Sequence, residues 1–433
     1  MSVSRTNEKG FYGWINVIIA SIMGIAGGFY MVSFGYLLPY LVKDFGWNRG
    51  TASLAATINM IVMGLCGPLA GFFIVKYGAK RSMLLGNIIG FAGFIVLFFH
   101  SRLWELFLGY GLLMGVGAGF GGMLASTTVI NNWFVKKRGL ALSIFLGSGG
   151  AAGMVMGPAI MKLIEYAGWR ITVLTMSLMV LLLMVVLPAI FIRNKPQDLG
   201  QTPDGADGLK PQSRNPVAMP PKAAYRTPVD FTAKEAMRTR SLWLLIAYFC
   251  MNMLAMGALM THQIAYLFDI GVGATTAGLA LSVMSGMMTL MQFSVGYIGR
   301  KFSMHSITIG SEVLKIAGML ILIFTQSLPF VFVYLIVLGF GFGGAMAATM
   351  NIFPNYFGVS NYPKIMGLVR LFWAFVGGAG APLAGFIREE TGSYLPAFRG
   401  AIAIIVLGLM CLIFAKAPVH PSLKEEAAAE RVA

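Results

Sequence analysis

Runs of about twenty or more apolar residues recur along the whole of this 433-residue chain, separated by short stretches that hold most of its charge. A run of that length forms a helix spanning roughly 30 Å of hydrocarbon, where the backbone must satisfy its own hydrogen bonds. The pattern predicts twelve spans, at about 12–42, 51–75, 82–100, 104–130, 139–164, 169–193, 240–268, 275–299, 303–325, 329–354, 364–387 and 394–415. Residues 194–239 are polar, rich in Pro, Gly, Asp and Lys, and lack an apolar run of helix length, which reads as a flexible linker. The expected organisation is an N-terminal six-helix bundle over 1–193, the linker over 194–239, a C-terminal six-helix bundle over 240–416 and a tail over 417–433. The first run, starting near Phe11, is too long for the core of a cleaved signal and is expected to stay.

Composition sharpens this. A chain 57% hydrophobic and only 11% charged is not a soluble globular protein. Its net charge of +16 does not imply a nucleic-acid partner, because the basic residues sit in short loops between spans. With both termini placed in the cytoplasm, 23 of the 32 Lys and Arg fall on that side and seven outside, leaving Lys315 and Arg370 in the membrane. That asymmetry predicts a multi-pass protein of the cell (inner) membrane, embedded in the lipid bilayer, with both termini cytoplasmic. Cys66, Cys250 and Cys411 lie in apolar runs and fit no disulfide or metal spacing. The four histidines (His100, His262, His305, His420) are scattered. Without a clustered acid–base pair or ligand set, no catalytic residue, metal or cofactor is expected, and the chain does not read as an enzyme.

The halves repeat each other. Gly115-Val-Gly117-Ala-Gly119 is echoed by Gly339-Phe-Gly341-Phe-Gly343, Asn132-Trp133-Phe134 by Asn355-Tyr356-Phe357, Gly149-Gly150-Ala151 by Gly377-Gly378-Ala379, and Tyr40-Leu41 by Tyr266-Leu267. An offset held near 225 residues across most of a half marks an internal duplication. Two six-helix halves on a linker can rock against each other and expose a midplane site to alternate sides.

In this architecture the chain resembles the major facilitator superfamily, and within it the monocarboxylate transporters and oxalate/formate antiporters. The resemblance rests on Tyr12-Gly13-Trp14, on Asn132-Trp133-Phe134-Val-Lys136-Lys137-Arg138-Gly139-Leu140-Ala141, and on Gly367-Leu368-Val369 through Ala381-Pro382-Leu383-Ala384 and Gly385 to Thr391-Gly392-Ser393-Tyr394. It implies an all-α membrane fold of twelve helices in two pseudo-symmetric bundles. It also implies a secondary transporter working by alternating access, with a central cavity lined by spans 1, 4, 7 and 10 together with Arg370 and Gln292. The expected substrate is a small monocarboxylate (lactate-, pyruvate- or acetate-like), coupled to a proton or a counter-anion, with the monomer as functional unit. Three alternatives stay open: an oxalate/formate-like anion exchanger, a carrier of larger hydrophobic or neutral substrates with Arg370 structural, and, ranked last, a non-transporting sensor.

Arg370 leads the candidate residues. A guanidinium keeps its proton, and holding it near the centre of a membrane helix costs roughly 2.5–3.5 kcal/mol or more, so it calls for a carboxylate partner or an anionic substrate. Trp373, Ala374 and Gly377 share its helical face. The resemblance places a substrate-facing cation in this helix. Gln292 stands in span 8 where relatives commonly carry Arg, and one fixed cation instead of two favours a monoanion. Asn351 is a candidate polar contact. Met123 and Met346 occupy repeat-related places where oxalate-transporting relatives tend to show tyrosine. Glu312 and Lys315, three apart, can neutralise each other, or Glu312 can carry a proton or pair with Arg370. His262, near the outer end of span 7, is a candidate proton-sensitive gate. Gly71 to Arg81 resembles the superfamily's latch loop, but Val75 and, in the second half, Arg300 replace its Asp. Lys76, Arg81 and Arg300 are therefore expected in a rewired latch.

Overall fold

The apolar runs fold as helices, broken where glycine or a polar stretch interrupts them. The computed structural model describes residues 11–31, 33–47, 49–204, 225–324 and 327–423. The first span is assembled from α1 (Gly13–Ala26), α2 (Gly28–Met31) and α3 (Ser33–Phe45), and the second is α4 (Arg49–Tyr77). Gly78, at φ +90°, turns the chain sharply into α5 (Ala79–Phe99), a conformation that a β-carbon disfavours. The fourth span runs from α6 (Leu103–Leu106) through a π-helical stretch, Phe107–Leu113, into α7 (Met114–Gly121) and α8 (Met123–Trp133). The fifth and sixth spans share α9 (Arg138–Val180), broken at Gly168 (φ +80°), and the sixth finishes in π-helical Leu181–Val186 and α10 (Leu187–Phe191).

The second half begins with the short α11 (Ala233–Met237), followed by α12 (Arg240–Asp269), α13 (Ala274–Ile298), α14 (Met304–Phe324) and α15 (Leu328–Phe357). The eleventh span is α16 (Tyr362–Gly378) continued by α17 (Gly380–Thr391), and α18 (Leu395–Phe414) is the twelfth. Eleven helical stretches among the described residues are long and apolar enough to cross a membrane; the part of α9 before Gly168 supplies the remaining span.

The halves meet where α4 packs on α16 and α13 on α9. Small residues permit this approach. A β-carbon on Gly67 would lie 2.7 Å from the Gly367 carbonyl oxygen, one on Gly150 2.5 Å from Thr289 Oγ1, and one on Gly296 2.6 Å from Leu140 Cα. These contacts run from mid-helix to the ends that face the linker, so the chain is closed on its linker side. Among the described residues, polar contacts on the far side such as Trp169 Nε1 to Asp44 Oδ2 (2.6 Å) and Arg388 Nε to Asp269 Oδ2 (3.1 Å) stay within each half.

The described parts of the linker do not hang free. Gln201 Oε1 accepts from the Tyr12 backbone (3.1 Å), the Asp204 backbone bridges to Trp133 (3.2 Å), and the Thr227 and Phe231 N–H groups donate to the Asn355 and Phe357 carbonyls (2.9 and 3.0 Å). The physical reason is that α8 and α15 end with backbone groups that need partners, and the linker supplies them. Residues 205–224 of the expected flexible stretch lie outside the described residues.

Candidate functional site

A cavity of about 30 Å³ lies between the halves, bounded by Met123, Leu124, Thr127, Phe249, Met253, Met346, Met350, Tyr362, Met366, Arg370 and Trp373. Its construction follows helical spacing. Met123 and Thr127 on α8, Phe249 and Met253 on α12, and Met346 and Met350 on α15 are each four residues apart, while α16 presents Tyr362, Met366 and Arg370 at the same interval. Five methionines make a soft wall that adapts to the shape it encloses. The volume exceeds the roughly 10–15 Å³ that a single water needs.

Among the described residues Arg370 is the one charged side chain that lines this cavity. It is 7% exposed, and among the described residues it makes no ion pair. Its Cβ packs where Gly67 leaves room on α4, which fixes the root of the side chain. Trp373 lies three residues on, its ring 6.2 Å from that of Phe249 across the wall. On the linker side the Tyr362 hydroxyl donates to Thr127 Oγ1 (3.3 Å), so one hydrogen bond between the two halves floors the cavity beneath Arg370.

Thus Arg370, Trp373, Met123 and Met346 come together. Gln292 stands one layer behind: its Nε2 points to Met346 Sδ at 3.8 Å and its buried Oε1 has no hydrogen-bond partner among the described residues. Asn351 lies further toward the linker, donating to the Ala347 carbonyl (2.9 Å). Among the described residues α8, α12, α15 and α16 line this cavity, the last as expected from Arg370, and no residue of span 1 does. The buried side of α1 packs on α9, and Asn16 Oδ1 on that helix accepts from the Arg193 backbone (3.0 Å). Thr127, Tyr362, Phe249, Met253, Met350 and Met366 were missed by the sequence reading, although Tyr362 and Met366 stand two turns and one turn before Arg370 on the same face.

Glu312 does not pair with Arg370. One carboxylate oxygen accepts from Lys315 Nζ (2.6 Å), the Tyr248 hydroxyl (2.6 Å) and Asn252 Nδ2 (2.7 Å), with the ion pair at most 1% exposed. The pair sits behind the cavity wall, tying α14 to α12. His262 lies inside the second half, one ring nitrogen 2.8 Å from the Ala381 carbonyl oxygen and the other 3.3 Å from the Tyr394 hydroxyl. Lys76, Arg81 and Arg300 make no ion pair among the described residues; Lys76 and Arg300 lie over the Tyr77 and Tyr297 rings, each at 5.2 Å.

Comparison with known proteins agrees with the helical architecture. The family model described as Major Facilitator Superfamily matches residues 18–325 and 263–432. Human monocarboxylate transporter 11 is 23% identical over 420 residues, covering 92% of this chain and 82% of the relative. Monocarboxylate transporter 13 of Bos taurus is 22% identical over 415 residues, covering 95% and 91%. An uncharacterized transporter of Escherichia coli K12, YhjX, is 24% identical over 305 residues, covering 68% of this chain and 69% of its own. The crystal structure of the human organic anion transporter MFSD10 superimposes with a TM-score of 0.64 at 16% identity, covering 93% of this chain and 97% of that one, which shows the shared fold. The chain belongs to the major facilitator superfamily, as a multi-pass transporter that resembles the monocarboxylate transporters.

Proposed function

We propose that the protein carries small monocarboxylates of the lactate, pyruvate or acetate kind across the inner membrane by alternating access, coupled to protons, with linker and termini in the cytoplasm. The observation that carries this reading is Arg370, a buried guanidinium on an otherwise uncharged cavity wall with no ion-pair partner among the described residues. A planar fork of donors matches a carboxylate bidentately, and a carboxylate in the cavity would supply the missing counter-charge. The methionine and aromatic lining would hold a short apolar tail, and the Thr127 and Tyr362 hydroxyls would meet a hydroxyl or keto group. Gln292 and Asn351 would orient the substrate from behind the wall as the helices shift. The names borne by the relatives support the same substrate class.

Anion exchange is the second reading. Glu312 is committed to Lys315 and no carboxylate among the described residues lines the cavity, so a carried proton has no evident acceptor among them. The test is uptake of labelled acids into proteoliposomes with and without an imposed pH gradient. Symport predicts uptake driven by the gradient with no internal acid. Uptake that needs an internal counter-acid and ignores the gradient would replace symport by exchange.

A further inference from the structure

The latch loop of this chain has lost its carboxylate, with Val75 at the Asp position of the first half and Arg300 at that of the second. Yet the halves are closed on that side, and two aspartates stand there, both from the linker. Asp204 caps the start of α9: its carboxylate accepts from the N–H groups of Val135, Lys136 (3.2 Å) and Lys137 (2.7 Å). Asp230 caps the approach to α16, accepting from the Ser360 N–H (3.0 Å) and the Ser360 hydroxyl. Lys137 and Ser360 each stand three residues after the repeated Phe134 and Phe357, so the two carboxylates occupy duplicated positions, one on each half. Carboxylates at such helix starts meet unpaired N–H groups and the positive end of the helix dipole.

The second leg of the linker also crosses between the halves. Arg226 donates through Nη2 to the Val135 carbonyl in the first half, while the next residue, Thr227, donates to the Asn355 carbonyl in the second (2.9 Å). Beneath them Arg138, 6% exposed, bonds the Phe134 carbonyl through Nε (3.1 Å) and lies within electrostatic reach of Asp204, Asp230 and Arg226. Charge-assisted bonds of this kind are about twice as strong as neutral ones.

We infer that the described legs of the linker form the latch: Asp204 and Arg226 hold the first half at Val135–Lys137, Thr227 and Asp230 hold the second at Asn355 and Ser360, and together they take the place of the missing loop carboxylate. The closed state is stabilised because Arg226 and Asp230 keep their partners on opposite halves only while those halves touch. The inference rests on alternating access and holds whichever substrate is carried.

The test is sided thiol labelling of Met123→Cys, a cavity position, in vesicles of known orientation, corrected for Cys66, Cys250 and Cys411 by labelling the unaltered protein. Asp204→Asn with Asp230→Asn should raise labelling from the linker side roughly fivefold, the low end of typical coupling between sites, and lower it from the far side. Arg226→Gln alone should move both rates the same way. Unchanged linker-side labelling, or an equal rise from both sides as in general loosening, would overturn the inference. If these variants do not fold, raising linker-side salt from about 0.1 to 1 M around the Met123→Cys protein screens the same charges. It should raise linker-side labelling, and no change there would equally overturn the proposal.

Discussion

The Tyr362 hydroxyl reaches Thr127 Oγ1 at 3.3 Å, joining α16 of the second half to α8 of the first directly beneath Arg370. The bond is buried and lies on the linker side of the cavity, where any solute leaving that way must separate its partners.

Removing that bond should loosen the floor without disturbing the cation. A neutral hydrogen bond contributes about 1 kcal/mol net, roughly a fivefold change in an equilibrium. Tyr362→Phe should therefore favour the linker-side-open state by about that factor. Spin-label distances between the linker-side ends of α4 and α16 measure this, and an unchanged distance distribution would remove Tyr362 from the gate.

The Glu312–Lys315 pair should behave as a unit. Deleting one member strands a buried charge, at a cost of roughly 3–5 kcal/mol, whereas replacing both with apolar residues of similar size is near neutral. Glu312→Leu or Lys315→Met alone should sharply lower the melting temperature in detergent, and the double variant should recover most of the loss. A pH profile of transport that vanishes in the stable double variant would instead make Glu312 a proton carrier.

Close approach of the halves depends on glycine at Gly67. A β-carbon there would stand 2.7 Å from the Gly367 carbonyl oxygen, and neither backbone can give way easily. Gly67→Val should force α4 and α16 apart and abolish transport while the protein still inserts, which flux and surface labelling report together. Retained wild-type flux would mean that this contact is dispensable for closure.

Much of the fold was legible because lipid leaves the backbone so few options: runs of about twenty apolar residues must be helices, and the glycine echoes between spans 4 and 10 announced the duplication. Arg370 was legible for the same reason, a charge where charge is costly. Its alternative partner was not. Only packing shows that Glu312 turns to Lys315, Tyr248 and Asn252, because helix rotation is set by neighbours and not by spacing. Gly64, Gly67 and Gly71 on α4 look like ordinary small residues until α16 is laid against them. The linker misled for a different reason. Its composition is that of a flexible chain, and the backbone groups that capture Asp204 and Asp230 lie about seventy and 130 residues away.

Whether Arg370 neutralises a transported carboxylate is measured by counterflow of labelled monocarboxylates in proteoliposomes, with wild type beside Arg370→Gln and Arg370→Lys. A carboxylate-binding Arg370 gives counterflow in the wild type, its collapse in Arg370→Gln, and partial recovery in Arg370→Lys, which restores charge without the planar fork. Equal flux in wild type and Arg370→Gln would contradict it and leave the guanidinium a structural role.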